Sequence, residues 1–191
     1  MRFIVGVSGA SGIIYAVRLL EVLRQKGAYT YLILSPAARE NIVLETEFDV
    51  EYVESLANVC YRHLDVAAPI SSGSFQTDGM VVVPCSMKTL SGIANGYEEN
   101  LLIRAALVTL KEGRQLVLVP LETPLAIPHL KNMLLAAEAG AVILPAMPGF
   151  YHRPKTVDDI VNHVVGKILD VLGIEHDLYQ RWTGPRMVGK P

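Results

Sequence analysis

The chain has 191 residues, 51% of them apolar, and a formal net charge of −2 with a sequence pI near 6.2. This length suits one domain with a substantial core, and the charge balance argues against a polybasic face for nucleic acid or anionic lipid. Its two cysteines, Cys60 and Cys85, provide neither a disulfide framework nor metal-ligand spacing. We therefore expect a single cytoplasmic domain, residues 1–191, whose partner is a small molecule.

The first 23 residues are apolar enough to suggest a signal peptide, but a Ser/Gly-rich stretch at 8–12 interrupts them. Arg18, Glu21 and Gln25 then form a polar stripe at helical spacing, which is typical of an amphipathic helix. No apolar run approaches the roughly 18 residues needed to span a bilayer. We interpret this segment as part of the fold and expect no membrane association.

Short apolar runs rich in β-branched residues alternate with helical patterns along the chain. The predicted strands are 3–7, 31–34, 80–83, 116–119 and 141–144, and the predicted helices are 12–26, 100–112, 128–139 and 156–172. This alternation predicts a three-layer α/β fold, Rossmann-like or flavodoxin-like, with helices on both faces of a parallel sheet. The strands are apolar throughout, as expected when both faces of the sheet are covered.

Polar segments follow the predicted strands where each strand ends. They are SGASG at 8–12, SP at 35–36, PCSMKT at 84–89, PLETP at 120–124 and PAMPGFYHRP at 145–154. In a doubly wound sheet the ligand lies outside the carboxyl ends of the strands. We therefore expect the functional site to be built from these segments.

The segment 8–12 follows a strand and opens a helix. Backbone N–H groups and the helix dipole could receive a phosphate there, with Ser8 and Ser11 adding hydroxyl donors; the other reading is a tight glycine turn with a serine cap. The spacing is not that of the dinucleotide motif G-x-G-x-x-G, and Ser35 stands where an acidic residue would close the second strand. A mononucleotide therefore fits better than NAD.

Further hydroxyl and cationic side chains follow the later strands. The segment from Ser86 to Thr89 begins another helix, where the serine either caps the helix or helps to bind an anion. Arg104 and Lys111 share one face of a predicted helix and either meet a second phosphate or, for Lys111, complement the helix dipole. The five histidines show no paired metal-ligand spacing, so we predict no metal site.

Five motifs together closely resemble those of the UbiX-like flavin prenyltransferases, and they follow that family's order along nearly the whole chain. They are SGASG at 8–12, ISSGSFQ at 70–76, PCSMKTLSG at 84–92, ETP at 122–124 and FYHRP at 150–154. The resemblance implies a subunit of a homododecamer that binds FMN and dimethylallyl phosphate or pyrophosphate, and joins the prenyl group to flavin N5 and C6. The prenylated FMN would be the cofactor of a UbiD-like decarboxylase, and no metal would be required.

The resemblance also assigns roles to individual residues. FMN would be contacted by Gly9, Ala10, Ser11, Ser35, Ser86, Met87, Lys88 and Thr89. The prenyl phosphate would be bound by Arg104, Lys111, Tyr151 and Lys167. Glu122 would be the acid/base, and Lys111 and Ser11 are the other catalytic candidates. Cations and hydroxyls of this kind suit a phosphate leaving group in a dry pocket.

Three positions depart from the family pattern. Lys167 stands where arginine is frequent, so charge is kept but bidentate geometry is lost. The family usually has arginine in place of Leu121 and aspartate in place of Leu107. Because an apolar pair can replace a buried ion pair at little cost in stability, we hypothesise that these two leucines replace a salt bridge, with reduced turnover or flavin affinity as the result.

Two other functions stay open from the sequence. A flavin-dependent decarboxylase of the cysteine-decarboxylase type would share the fold and the first loop, but that group has asparagine where this chain has Pro148. A non-catalytic FMN-binding subunit of a decarboxylase system is supported only by Leu121. The segment 174–191, which contains Arg181 and Trp182, is expected to be a tail that packs on a neighbouring subunit.

Overall fold

The computed structural model describes residues 1–184 of the chain. Its strands are β1 Arg2–Val7, β2 Tyr29–Leu34, β3 Val59–Tyr61, β4 Gly79–Cys85, β5 Gln115–Pro120 and β6 Val142–Ile143. Its helices are α1 Ile13–Gln25, α2 Pro36–Glu45, α3 Val50–Ser55, α4 Met87–Ala94, α5 Leu101–Lys111, α6 Ile127–Glu138 and α7 Val157–Val171. A short 3-10 turn, Pro69–Ser71, precedes β4.

The strands form one parallel sheet in the order β3-β2-β1-β4-β5-β6. The strand order reverses between β1 and β4, which creates a crevice at their carboxyl ends where ligands bind in folds of this kind. The five predicted strands and four predicted helices are confirmed. Strand β3 was not predicted, because it has only three residues, lies at the sheet edge and contains no fully buried residue.

Two apolar layers cover the sheet, one on each face. Successive residues of β1 show the alternation, since Phe3, Val5 and Val7 pack into one core cluster and Ile4 packs into the other. Helices α1, α2, α3 and α7 contribute to the first cluster, and α4, α5 and α6 contribute to the second. The predicted three-layer fold is therefore confirmed.

The chain beyond α7 turns back onto that helix. Ile174 is 5% exposed and joins the first core cluster, and Leu178 packs against the same cluster. Gly166 makes room for the turn, because a Cβ there would lie 2.6 Å from the ring of Tyr179. Within one protomer the described part of the predicted tail thus packs on its own α7; packing on a neighbouring subunit stays a prediction, and residues 185–191 lie outside the described range.

None of the helices within residues 1–184 is both long enough and apolar enough to cross a membrane.

Candidate functional site

A cleft of about 620 Å³ lies at the carboxyl end of the sheet, where β1, β2, β3 and β4 end. The start of α5 closes one side of it. Its lining comprises Ser8, Gly9, Ser35, Pro36, Ala37, His63, Leu64, Ser86, Met87, Lys88, Thr89, Glu99, Asn100, Ile103 and Glu122. A second cavity of about 350 Å³ shares Gly9, Ser86, Met87 and Glu122 with the first and adds Ala10, Ser11, Leu121 and Thr123. All the residues predicted to contact FMN therefore line one or both of these adjoining cavities.

Ser8 holds the two central strand ends together. It is 1% exposed, its hydroxyl donates to the Pro84 carbonyl at 3.0 Å and accepts the Ser86 N–H at 2.7 Å, and its own N–H donates to Pro84 at 3.2 Å. The expectation that Ser8 donates to a phosphate is therefore wrong for this structure, because its proton is already directed at a backbone carbonyl. Its role is to fix the spacing of the loops after β1 and β4.

We expect Ser8→Ala to destabilise the protein by about 1–3 kcal/mol, because the partly buried Ser86 N–H loses its acceptor. Urea unfolding monitored by circular dichroism would measure the loss. Ser55→Ala, a matched change at an exposed hydroxyl, should cost well under half as much. Equal costs for the two variants would contradict the strand-linking role of Ser8.

The loop of Gly9, Ala10 and Ser11 is held close to α2. A Cβ on Gly9 would lie 2.4 Å from the Cβ of Ala37, so only glycine allows this approach. The side-chain amide of Asn41 donates to the Ala10 carbonyl at 3.1 Å. The hydroxyl-bearing Ser11 stays exposed at the second cavity.

A carboxylate already occupies the amino end of α1. One oxygen of Glu45 accepts the N–H of Gly12 at 2.8 Å and that of Ile13 at 3.2 Å. The prediction of a phosphate cradle therefore does not hold for these two amides, although a carboxylate at this position agrees with the attraction of a helix amino end for anions. Two earlier amides of the loop are also bonded within the protein, since the N–H groups of Ser8 and Ala10 donate to the Pro84 and Ser8 carbonyls.

The amino ends of α2 and α4 face the large cleft. The Ser35 hydroxyl accepts the Ala38 N–H at 3.1 Å, and the Ser86 hydroxyl accepts the Thr89 N–H at 3.3 Å while it donates to the Thr89 hydroxyl at 3.1 Å. Both serines thus cap their own helices and also line the cleft. Two helix dipoles therefore point their positive ends at one space, which favours a bound anion.

Lys88 and Glu122 are two of the charged side chains that line this space. The Lys88 ammonium, which is largely exposed, pairs with Glu99 at 3.2 Å. Glu122 follows β5, is exposed, and lines both cavities. An ionisable carboxyl that borders both spaces can exchange a proton with a group in either of them.

The hypothesis that Leu107 and Leu121 replace a salt bridge is wrong within one protomer. Leu107, on α5, packs against the core cluster on one face of the sheet, whereas Leu121 packs against the cluster on the other face. The side chain of Leu121 reaches the turn at Gly12, where a Cβ would lie 3.0 Å from its Cδ2. Leu121 therefore packs beside the loop that lines the second cavity, on the opposite face of the sheet from Leu107.

Arg104 and Lys111 lie together at a second place, beside the loop 71–74. The Arg104 guanidinium donates to the Ser71 carbonyl at 3.1 Å and pairs with Glu98 at 2.7 Å. Lys111 pairs with Glu112 at 2.7 Å, and this ammonium lowers the pKa of the Glu112 carboxyl. Neither cation lines the cleft of the same protomer.

Tyr151 and Lys167 lie at a third place, next to the described part of the tail. Tyr151 borders a cavity of about 270 Å³ together with His152, Arg153, Gln180, Arg181, Trp182, Thr183 and Gly184. Its ring meets the Trp182 ring edge-on, with 5.9 Å between centroids. This cavity combines aromatic and cationic walls, which suits a small ester of phosphate with an apolar chain.

One carboxylate connects Lys167 to the tail. Asp170 accepts hydrogen bonds from Lys167 at 3.2 Å, Tyr179 at 2.6 Å and Arg181 at 2.7 Å, and lies 3.1 Å from the imidazole of His176. Burial alone would raise the pKa of Asp170, but these partners together hold it well below its usual range.

Among residues 1–184, no group of three or more potential ligands could hold a metal ion.

The chain is similar to known proteins over most of its length. A family model described as Flavoprotein matches residues 1–169. Flavin prenyltransferase UbiX of Escherichia coli K12 is 55% identical over 186 residues, which cover 96% of this chain and 98% of that protein. The flavin prenyltransferase UbiX of Thermoplasma acidophilum is 53% identical over 182 residues, 95% of this chain and all of that protein.

The chain belongs to the UbiX-like flavin prenyltransferase family.

Solved structures agree with membership of this family. A dodecameric FMN-dependent UbiX-like decarboxylase from Escherichia coli O157:H7 superposes with a TM-score of 0.94 at 51% identity, over 96% of this chain and 100% of that one. AnUbiX (PadA1), solved in complex with FMN and dimethylallyl pyrophosphate, superposes with a TM-score of 0.94 at 43% identity, over 96% and 97%. The peptidyl-cysteine decarboxylase EpiD, at 15% identity and a TM-score of 0.64, shares the fold alone.

Sequence reasoning missed two residues that shape the site of this family member. Glu45 is 33 positions from Gly12 and ends a helix with only two buried residues, Ala38 and Ile42, so no local pattern indicated its contact with α1. Asp170 lies three positions after Lys167, and this spacing could have indicated an ion pair on α7. Its three tail partners could be found only from the fold.

Proposed function

We propose that this protein is a flavin prenyltransferase that transfers a dimethylallyl group from dimethylallyl phosphate or pyrophosphate to reduced FMN, with new bonds at N5 and C6. The observation that carries the proposal is the match, at 43% identity and a TM-score of 0.94, to a family member solved with FMN and dimethylallyl pyrophosphate. The cleft at the crevice between β1 and β4 supports it, since that is where a mononucleotide is expected.

In this proposal FMN occupies the cleft against the loops after β1, β2 and β4. The residues that hold it are Gly9, Ala10, Ser11, Ser35, Ser86, Met87, Lys88 and Thr89, all of which line one or both adjoining cavities. The amino ends of α2 and α4, together with the Lys88 ammonium, favour the phosphate of the cofactor. FMN supplies the nucleophilic acceptor for the prenyl group.

The prenyl phosphate is assigned to Arg104, Lys111, Tyr151 and Lys167. When the allylic carbon–oxygen bond breaks, phosphate leaves with the electron pair, and cations and hydroxyls stabilise that charge. These four residues occupy two places, neither of which contributes lining residues to the cleft of the same protomer. We therefore propose that neighbouring copies of the chain complete the site within a homo-oligomer, as the dodecameric relative suggests.

Glu122 is proposed as the group that gives and takes protons during transfer, with Lys111 and Ser11 as the other catalytic residues. Forming a bond at C6 requires the loss of the proton on that carbon, and a carboxylate is a suitable acceptor. The position of Glu122 at the border of the two cavities supports this role. Ser11 lines the cavity on the same side.

The product is proposed to leave the protein for a UbiD-like decarboxylase in the cytoplasm. A direct test is to separate the flavin product from the protein and add it to such a decarboxylase lacking cofactor. We expect decarboxylase activity to appear with the product and not with FMN. Failure of the product to activate, with turnover of a peptidyl or pantothenoyl cysteine instead, would favour the cysteine-decarboxylase alternative.

Neither alternative has support equal to that of the transferase. Relatives named as flavin prenyltransferases exceed 50% identity, whereas the cysteine decarboxylases TvaF and EpiD stand at 16% and 15%. A non-catalytic FMN-binding subunit rests on Leu121 alone. That residue can be tested directly.

We expect Leu121→Arg to lower the KM for dimethylallyl phosphate several-fold, since a cation at this wall adds charge complementary to the phosphate. The loss of half-buried apolar contact should cost about 1 kcal/mol of stability. Steady-state kinetics with the flavin product as readout would measure the change. Leu121→Met, which alters the side chain without charge, is the control, and an equal KM for both variants would contradict the expectation.

A further inference from the structure

The turn 149–153, which carries Tyr151, contacts helix α7 through His163. The Gly149 N–H donates to Nδ1 of His163 at 3.3 Å. The His152 ring stacks on the His163 ring at 4.9 Å with 6° between planes, and the Tyr151 ring meets it edge-on at 5.7 Å. Three residues of one short segment, Gly149, Tyr151 and His152, therefore contact a single side chain that is 5% exposed.

The backbone of this turn is shaped for that approach. A Cβ on Gly149 would lie 3.2 Å from Nε2 of His163 and 3.0 Å from the Tyr151 ring, so a side chain there would press on both. Arg153 closes the turn with a positive φ of 55° and donates its N–H to the Phe150 carbonyl at 3.0 Å. The histidine and the turn thus fit each other closely.

The hydrogen bond from Gly149 sets the protonation state of His163. Because Nδ1 accepts this hydrogen bond, it carries no proton, and the neutral ring has its N–H at Nε2, which is buried and has no hydrogen-bond partner within residues 1–184. Burial lowers the pKa of His163, and His152 and Lys167 lower it further, while Asp170 acts in the opposite direction. The ionisable side chains of Tyr151 and Tyr179 also pack their rings against His163.

We infer that His163 is a positioning residue for Tyr151, and that its neutral ring keeps the turn 149–153 in the arrangement that binds the prenyl phosphate. This inference rests on the proposed function for the role of Tyr151. Protonation of Nδ1 would give it an N–H that faces the Gly149 N–H, so the two donors would repel each other. It would also place a positive charge beside the His152 ring. The turn should then open, and donor binding should weaken as the pH falls below about 6.5, the ordinary pKa of histidine.

Two variants separate the hydrogen bond from simple packing. His163→Leu fills the space but cannot accept from Gly149, whereas the side-chain carbonyl of His163→Gln can. We expect KM for dimethylallyl phosphate to rise about tenfold in the leucine variant, as for one lost hydrogen bond, and to return most of the way in the glutamine variant. FMN affinity depends on the loops after β1, β2 and β4, which neither variant alters, and should change less than twofold in both.

Trp182 supplies a readout that does not depend on turnover. It is the only tryptophan of the chain and lies edge-on to Tyr151. In FMN-free protein we expect its emission to change between pH 7.5 and 5.5 in the wild type but not in His163→Gln. An identical pH response in both proteins, or equal KM values in all three, would overturn the inference. A wild type that shows the emission change but makes no prenylated FMN would refute the proposed function instead.

Discussion

Glu122→Gln should lower kcat for prenyl transfer by about 10² to 10⁴, the usual contribution of a general acid or base. The amide keeps the shape of the side chain but cannot exchange a proton with a group in either cavity that Glu122 borders. FMN affinity should stay within a few-fold of the wild type, because the helix amino ends and the loop residues remain. Flavin titration and single-turnover kinetics would separate the two effects.

The matched control for this change is Glu138→Gln, at the exposed end of α6 and away from both cavities. It should leave kcat unchanged. If Glu122→Gln retained more than a tenth of the wild-type kcat, Glu122 would not be the proton-transfer group. A large loss of FMN affinity in parallel would assign it to cofactor binding instead.

Asp170→Asn should release the tail from α7 and reduce both stability and activity. A neutral amide cannot balance the positive charges of Lys167 and Arg181, which lie 3.2 and 2.7 Å from the carboxylate. The expected loss is about 3 kcal/mol, the usual contribution of hydrogen bonds to a charged group. Because Lys167 and the Tyr151–Trp182 cavity depend on this anchor, prenyl-phosphate binding should weaken as well.

The stabilisation that Asp170 provides should decrease at low pH. The folded-state pKa of Asp170 is lowered from an ordinary value of 3.8. Its contribution is therefore fully present above about pH 4, begins to fall below that pH, and is lost only as the pH approaches the lowered folded-state pKa. Urea unfolding at pH 7 and at pH 3.5 should show a smaller difference in Asp170→Asn than in the wild type. Asp177→Asn, at an exposed tail position, should behave as the wild type does.

Local pattern was enough to predict the layers of the fold and the cleft. Strands such as β1 and β4 are apolar throughout and end in polar segments, so both the parallel sheet and its functional edge could be read from the sequence. Ser35 and Ser86 illustrate the limit of such reasoning. Ser86 was expected either to cap a helix or to help bind an anion, and Ser35 to contact FMN; in the fold both cap helices and both line the cleft.

Contacts between distant segments could not be predicted in this way. Ser8 reads as a phosphate ligand until its hydroxyl is found 3.0 Å from the Pro84 carbonyl, 76 positions away. Leu107 and Leu121 seemed to be partners because both departed from one family pattern, yet the sheet separates them. Motif position assigns a residue to a site, but the hydrogen bonds that use up its donors depend on tertiary packing.

The most direct test of the account is the mass of the flavin after incubation of the purified protein with reduced FMN and dimethylallyl phosphate or pyrophosphate. We expect the flavin to gain one prenyl unit with at least one of the two donors, and Glu122→Gln to yield little or none in the same time. Flavin of unchanged mass with both donors, in protein shown to bind FMN, would contradict it.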